Sequence, residues 1–557
     1  MCFLLVSIQI SCYFSLPSIS GKEAVAQRTI LEAIAMELTS FFVVLTAIVI
    51  GLLGMIYLFF AAKFAYWKKK GVPYIKPSFP LGNVGDLISS RKTMAQLYSE
   101  FYKHFAGNRF AGIYMLHRPT LFLLDPDLIK NVLVKEFEHF HDHNDPIDES
   151  VDPFSASLFA LSGKRWKDLR AKLSPAFSSG KMKIMFETVV DCGRELKNYF
   201  EEPADKGEIV EMKEVMARYT TDIIASCAFG IACNCLKDPD AEFRQWGRKV
   251  FEPTTKQKIR DLIYILFPSL AVFLKVPFFP KEITKFFTRI VKETVEYREK
   301  NDVKRNDFMQ LLIQLKNTGN VDDKNQNKET DDVETLSLIE IASQAFMFFT
   351  AGFESSSTTM SFFLYEMALN PKIQKCVQDE VDDVLENHNG TITYEAIMEM
   401  HYLDKCISET LRKYPSVPFL NRVCTKAYKI PDTDVIIEEG INVLIPTMAL
   451  QYDPQHHPDP EKFSPGRFSE KIKSQRHQYT YLPFGEGPRI CIGMRFALMQ
   501  IKVGLVFLLS QYQFLVCEKT SIPIEYDPKT VILCPKAGYW LQVKNRVKKV
   551  ENIINMQ

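Results

Sequence analysis

Between Thr39 and Ala62 the chain carries no charged side chain, and fourteen of those positions are Leu, Ile, Val or Phe. At about −0.3 to −0.6 kcal/mol for each such residue in a helix centre, the run gains roughly 4 to 8 kcal/mol on entering lipid. That outweighs the small polar cost of Ser40, Thr46, Gly51 and Gly54, and a helix of this length crosses a hydrocarbon layer. Lys63 and Lys68 to Lys70 follow at once. Basic residues beside a span favour the cytosolic side, so the rest of the chain is expected there. Met36 directly precedes Glu37, Leu38 and the apolar run, while Cys2 to Leu16 lacks a basic leader. The expected layout is therefore an upstream extension foreign to the native protein (1–35), an anchor (36–64), a basic, proline-spaced hinge (65–83) and a catalytic body (84–547).

Composition narrows what that body is. The 557 residues are 46% hydrophobic with 42 Phe, which excludes disordered, collagen-like and small disulfide-stapled classes. Sixty-eight basic against 67 acidic side chains leave a net charge of +1, removing any general electrostatic case for nucleic-acid binding. Twelve Cys without a C-x-x-C pair argue against zinc ribbons and for reduced thiols used as small hydrophobes.

Periodicity predicts a mainly helical fold with small sheets. A hairpin is expected over Phe110–Leu124, broken by His117, Arg118 and Pro119, with Pro126 opening a helix. Helical patterns run through Glu187–Phe200, Phe286–Lys300 and Phe308–Lys316. Leu336–Ala368 is the longest, about 50 Å at 1.5 Å per residue. Glu340, Gln344 and Glu354 interrupt it. An acid at a bilayer centre costs about 2.5 to 3.5 kcal/mol, so this is a central helix carrying a buried acid and not a second span. Acidic Val321–Glu334 reads as a surface connection. Phe- and Leu-rich Leu262–Phe279 reads either as a hairpin dipping into the bilayer or as core.

Near the C-terminus stands FGEGPRICIG, Phe484 to Gly493, followed by a helix from about Met494. Gly485 and Gly487 permit a sharp loop and Pro488 stiffens it. Cys491 falls just before the helix N-terminus, where backbone N–H groups favour thiolate over thiol, a soft anionic ligand suited to iron.

This segment resembles the signature F-x-x-G-x-R-x-C-x-G of the cytochrome P-450 family of haem-thiolate enzymes. Phe484, Gly487, Arg489, Cys491 and Gly493 all match, which chance would produce in roughly one chain of this length in several thousand. The likeness extends from Gly71 to about Arg546. It implies a prism of about a dozen helices with haem b between the long central helix and the Cys491 loop. Glu409 and Arg412, three apart in KCISETLRKYP, look like the family's E-x-x-R pair, with Arg467 of PGRF as the third member of a structural trio. By resemblance Trp166 and Arg170 of a W-x-x-x-R helix, together with Arg422 and Arg489, hold the haem propionates, for which arginine forks are suited. AGFESSSTT resembles the oxygen-activating A/G-G-x-D/E-T helix: Ala351 and Gly352 make room for dioxygen, while Glu354 and Ser355 relay protons. Ser355 replaces the usual Thr and Gly466 the usual Glu. Serine keeps the hydroxyl but loses the β-methyl that restricts its rotamers, so leakier coupling is expected.

The resemblance further implies a haem-thiolate monooxygenase that inserts one atom of dioxygen into a C–H or double bond, the cofactor supplying the organic chemistry. No Rossmann glycine fingerprint is present, so electrons from NADPH must arrive through a flavoprotein reductase, with cytochrome b5 as a second donor. Lys164, Arg165, Lys167, Arg495 and Lys502 offer a basic docking face or ordinary solvated charge. FPKEI, RNDFMQLL and AGFESSSTT look most like insect microsomal members of the clan that includes vertebrate drug-metabolising enzymes. That implies lipophilic xenobiotics, plant toxins and insecticides as substrates, with Phe154, Phe159, Phe348, Val417 and Phe419 as candidate pocket residues. A dedicated hydroxylase of a hormone, steroid or fatty acid, and a catalytically silent haem-binding protein, remain as rival readings.

Overall fold

The computed structural model describes residues 22–143, 149–251, 268–319, 335–530 and 532–546, together with scattered positions between 252 and 267. The chain divides into two units, Met1–Tyr66 and Trp67–Gln557. Within the first, one helix runs unbroken from Lys22 to Phe64 and passes straight through Met36. Its Ala33–Phe64 portion has a mean hydropathy of 2.7 and buries none of that apolar surface in protein. A bare apolar helix of this length is what a lipid-spanning anchor requires. Residues 1–21, the bulk of the expected extension, and Val321–Glu334 lie outside the described residues.

The proline-spaced stretch expected as a hinge belongs to the second unit and is packed onto it. Trp67 is fully buried and donates Nε1–H to Ile113 O at 3.0 Å. A Cβ on Gly112 would sit 2.3 Å from the Trp67 ring, so glycine there is what admits the indole. Tyr74 bridges to Gly112, and Ser78 bridges to Gly82.

The hairpin forms as strands β1 (Phe110–Met115) and β2 (Arg118–Leu123). Its turn is Leu116–His117, with Leu116 at φ 57°; Arg118 and Pro119 lie inside β2 instead of breaking it. Asp125 caps the helix that Pro126 opens. Strands β3 (Leu420–Val423) and β4 (Asn442–Ile445) complete a sheet ordered β1-β2-β4-β3, with β2 and β4 parallel and the other pairs antiparallel. A second sheet sets Trp540–Asn545 between Ile209–Glu211 and Tyr512–Leu515. Everything else that positions the site is helical.

The central helix spans Leu338–Leu369. Ser337 and Glu340 start it with a reciprocal capping box, and Pro371 beyond Asn370 opens the next helix instead of extending this one. From Ser356 to Ala368 every residue is buried. Each Phe or Leu in that half stabilises the fold by about 1.5 to 3 kcal/mol through burial, and a Phe363→Ala cavity would cost about 3 to 5 kcal/mol. The helix Met494–Leu509 crosses it closely: a Cβ on Gly504 would lie 2.6 Å from Met360 and 2.7 Å from Tyr219. Any larger residue at 504 pushes the cysteine loop away from the central helix.

The Phe- and Leu-rich segment is core at one end and exposed at the other among its described residues. Phe279 stacks edge-on against Phe154 and Phe346 in the core, while Leu270, Phe273 and Leu274 of the helix Pro268–Phe273 and its end stand in the open, Phe273 at 80% exposure.

Candidate active site

The cysteine loop closes on itself before the helix begins. Cys491 N–H donates to Phe484 O at 2.9 Å and Ile490 N–H to Gly487 O at 3.0 Å. Gly487, at φ 79°, packs so tightly that a Cβ would meet Leu133 O at 2.0 Å, so no side chain is possible there. Gly493 is different: its φ is −87°, and an added Cβ would meet only Phe177, at 4.0 Å. The chain's own packing does not call for that glycine.

Cys491 is accessible by surface area although protein crowds it on all but one side. Both hold for a residue on the floor of a cleft. That position corrects one expectation. N–H groups of Gly493 and Met494 and the Arg170 guanidinium do favour the thiolate, but desolvation outweighs them and holds the free thiol above its ordinary range. In the bare chain the helix terminus alone does not ionise the sulfur; a bound metal cation would.

On the central helix Ala351 is exposed and Ser355 partly so, although they lie in mid-helix; the two share one face. Ser355 Oγ is folded back onto Ala351 O at 2.7 Å. Gly352 and Glu354 answer to other partners. A Cβ on Gly352 would strike Ile224 Cδ1 at 2.7 Å, so this glycine permits close packing of the helix Met212–Ile224. Glu354 pairs with Lys213 Nζ at 2.8 Å, which draws the carboxylate toward that same helix.

A second group of polar residues collects where β3 meets the segment around Asp142. Val423 N–H donates to Asp142 O at 2.9 Å, and His143 and Asn421 exchange contacts at 3.1 and 3.0 Å. This brings two guanidiniums together. Arg489 is well held: it donates to His141 O at 2.6 Å and Leu161 O at 2.8 Å, pairs with Asp142 at 3.2 Å, and lies 4.2 Å over the Trp166 ring. Trp166 is thus a buried platform for Arg489. Arg422, 2% exposed, donates Nη1–H to Asn421 O at 2.7 Å, but its buried Nε finds no partner among the described residues. Burial, then repulsion from Arg489, pushes its pKa down to about 10. Burial and then both guanidiniums push His143 down to about 3, so the ring is neutral. Arg170, from the helix Gly163–Leu173, is desolvated and feels the Cys491 sulfur.

A buried guanidinium with an unpaired N–H beside a second cation calls for an anion. An accessible thiol one helix away calls for a soft metal. A haem offers both in one molecule, propionate carboxylates and iron, so these residues fit it.

A family model described as Cytochrome P450 matches residues 73–543. The chain belongs to the cytochrome P450 family. It is therefore a haem-thiolate monooxygenase by membership. Similar P450s include "Cytochrome P450 6k1" of Blattella germanica, 43% identical over 490 residues, 86% of this chain and 93% of that protein. "Cytochrome P450 6a2" of Drosophila melanogaster is 41% identical over 509 residues, 90% and 99% of the two chains. "Cytochrome P450 6a9" of the same species is 42% identical over 503 residues, 90% and 99% respectively.

Among the other P450 motif residues, Glu409 and Arg412 are fully buried and doubly bonded, Arg412 Nε–Oε2 at 2.8 Å and Nη2–Oε1 at 3.0 Å; Arg467 Nε reaches Oε1 at 3.2 Å. The remaining donors end on Gln451 O and Pro460 O, and Ser464 N–H adds a bond to Glu409 at 2.8 Å. The expected pocket residues scatter. Phe154 stacks on Phe346 at 4.4 Å in closed core, Phe348 packs edge-on against Phe177, and Phe419 packs against Tyr98. Only Phe159 and Val417 are open, at 50% and 49%. In the basic set Lys502 is buried against Asp404 at 2.6 Å and cannot dock a partner, whereas Lys164, Lys167 and Arg495 are exposed. Sequence reasoning missed His143, Asp142, Lys213 and Gln500. No local pattern marks them, because each acquires its role from a partner distant in the chain.

Proposed function

We propose that this P450 is anchored in the endoplasmic reticulum membrane with its catalytic unit in the cytosol. There it takes electrons from NADPH through a flavoprotein reductase, with cytochrome b5 as a second donor, and oxidises lipophilic xenobiotics. The observation that carries the reading is the accessible Cys491, which feels the Arg170 guanidinium, in a loop whose Arg489 faces the buried, anion-seeking Arg422. Haem b, when bound, supplies dioxygen reduction and transfer of one oxygen atom. The chain's own residues do the rest. Cys491 holds the iron; Arg422, Arg489 and Arg170 orient the propionates; Ser355 offers a hydroxyl at the open face of the central helix. The bare helix Ala33–Phe64 and the lysines after it support the membrane placement. The open apolar side chains of Ala351, Phe159 and Val417 support a lipophilic substrate.

Membranes holding the protein, supplemented with reductase, NADPH and a lipophilic panel, should yield monooxygenated products and a red-shifted Soret band when reduced under carbon monoxide. Cys491→Ser should abolish both. Retention of that band in the variant, or haem spectra without NADPH-driven product in the parent, would overturn the reading.

A further inference from the structure

Four consecutive backbone carbonyls of the central helix accept side-chain hydrogen bonds from neighbouring elements. Gln500 Nε2 donates to Gly352 O at 3.2 Å and Thr220 Oγ1 lies 3.0 Å from Phe353 O. Lys213 Nζ donates to Glu354 O at 3.2 Å and Ser416 Oγ to Ser355 O at 3.3 Å. In an α-helix each of these oxygens already serves the N–H four residues on, so the added donors share the ladder that joins 352–355 to 356–359. Another contact of this kind, Gln374 Nε2 on Met367 O at 3.0 Å, falls in the last turn, where carbonyls have no helical partner to share. In mid-helix such sharing needs a different reason.

Proton counting ranks the four. The single proton of Thr220 is contested by Met216 O at 3.0 Å, and Ser355 O already receives Thr359 Oγ1 at 2.9 Å. Gln500 has two N–H protons and two targets, Gly352 O and Ser356 Oγ at 2.6 Å. Its amide orientation is forced, since only an N–H can face a carbonyl. Gln500 is fully buried, and Tyr219 O–H fixes its backbone carbonyl at 2.9 Å. Lys213 spreads its ammonium over the Glu354 carboxylate, Glu354 O, Ser357 Oγ at 2.8 Å and Thr358 Oγ1 at 2.7 Å. These two residues grip the turn from opposite neighbours: Lys213 from the helix Met212–Ile224, Gln500 from the helix that follows Cys491.

We infer that Lys213 and Gln500 are positioning residues for the Ala351–Ser355 turn. They fix its distance from the cysteine helix, and Lys213 holds the Glu354 carboxylate toward the helix Met212–Ile224. The inference rests on the proposed role of this turn in delivering protons.

The test uses the full-length, haem-loaded protein with Lys213→Met, Lys213→Arg and Gln500→Leu. Hydrogen exchange at the amides of 356–359 should run roughly tenfold faster in Lys213→Met and Gln500→Leu and stay unchanged at Phe362–Leu364. With reductase present, product formed per NADPH should fall severalfold and peroxide rise, while the substrate-induced spin shift keeps its midpoint; Lys213→Arg should restore coupling. Because Lys213 sits at the rim, its variant remains informative should Gln500→Leu fail to fold. Unchanged exchange at 356–359, acceleration spread evenly along the helix, or a coupling loss that Arg does not rescue would each overturn the inference. If the parent protein turns over nothing, the proposed function fails, and the exchange pattern by itself decides for or against the clamp.

Discussion

Two buried clusters of arginine in this molecule look alike in sequence and differ in kind. Around Glu409 the trio is answered within the protein: Arg412 and Arg467 converge on one carboxylate, and spare donors end on backbone carbonyls. Neighbouring Arg476 lies over the Phe468 and Tyr481 rings, with its buried Nη1 unpartnered among the described residues. Around Arg422 the count is uneven, for Asp142 serves Arg489 while Arg422 keeps an unpartnered Nε. Each cluster also holds a histidine forced neutral, His457 beside the first and His143 in the second. The comparison teaches that burial of charge by itself does not separate architecture from a binding site. What separates them is the counter-charge: Arg412 and Arg467 share the Glu409 carboxylate within the protein, whereas no carboxylate among the described residues pairs with Arg422.

The most damaging way to break that contrast is to unbalance the satisfied side. Glu409→Gln strands two guanidiniums and should cost about 3 to 5 kcal/mol, read from urea denaturation of the haem-loaded protein. A loss under 1 kcal/mol would mean the trio is less coupled than its geometry. On the other side Arg422→Met should release haem roughly ten- to a hundredfold faster to an apo-myoglobin trap, the value of one charge-assisted bond, and lower the urea stability of the haem-loaded protein by no more than that factor implies, about 1.4 to 2.7 kcal/mol. Equal haem retention would show that Arg422 has no anion to hold.

Acid tests the first cluster from another direction. Burial first, then Arg476, Arg412 and Arg467, lowers the His457 pKa from 6.5 to about 3. Between those values the unfolded chain takes a proton that the native state refuses, so stability falls as pH drops through the window. At pH 5 this residue should contribute about 2 kcal/mol of acid destabilisation, and His457→Asn should remove that much of the difference between pH 7 and pH 5 unfolding. The smallest effect belongs to Ser355→Thr, which restores a rotamer-restricting methyl and should lower peroxide released per NADPH without altering the carbon-monoxide band. Unchanged peroxide would remove the reason for expecting leakier coupling.

Legibility followed chain distance. The anchor, the cysteine loop, the central helix and the Glu409–Arg412 spacing could all be read because each is a property of one short window: hydropathy, glycine at a turn, helical period, two residues three apart on one helical face. Gly352 and Glu354 were assigned to the oxygen site by motif, yet Ile224 and Lys213 explain their geometry. Lys213 meets Glu354 across 141 positions, and Gln500 meets Gly352 across 148. Of the candidate pocket phenylalanines Phe159 is open and Phe154 is buried in core, because an apolar stripe marks what is buried and not what it is buried against.

By itself the sequence determined the long apolar helix near the N-terminus, the helical class and the family signature around Cys491, since hydrophobic length, periodicity and loop chemistry act within a few turns of chain. Tertiary structure alone decided which charges are satisfied. Whether a buried guanidinium is part of the scaffold or an open seat for a carboxylate depends on what the rest of the chain brings within 3 Å of it, and no local window holds that information.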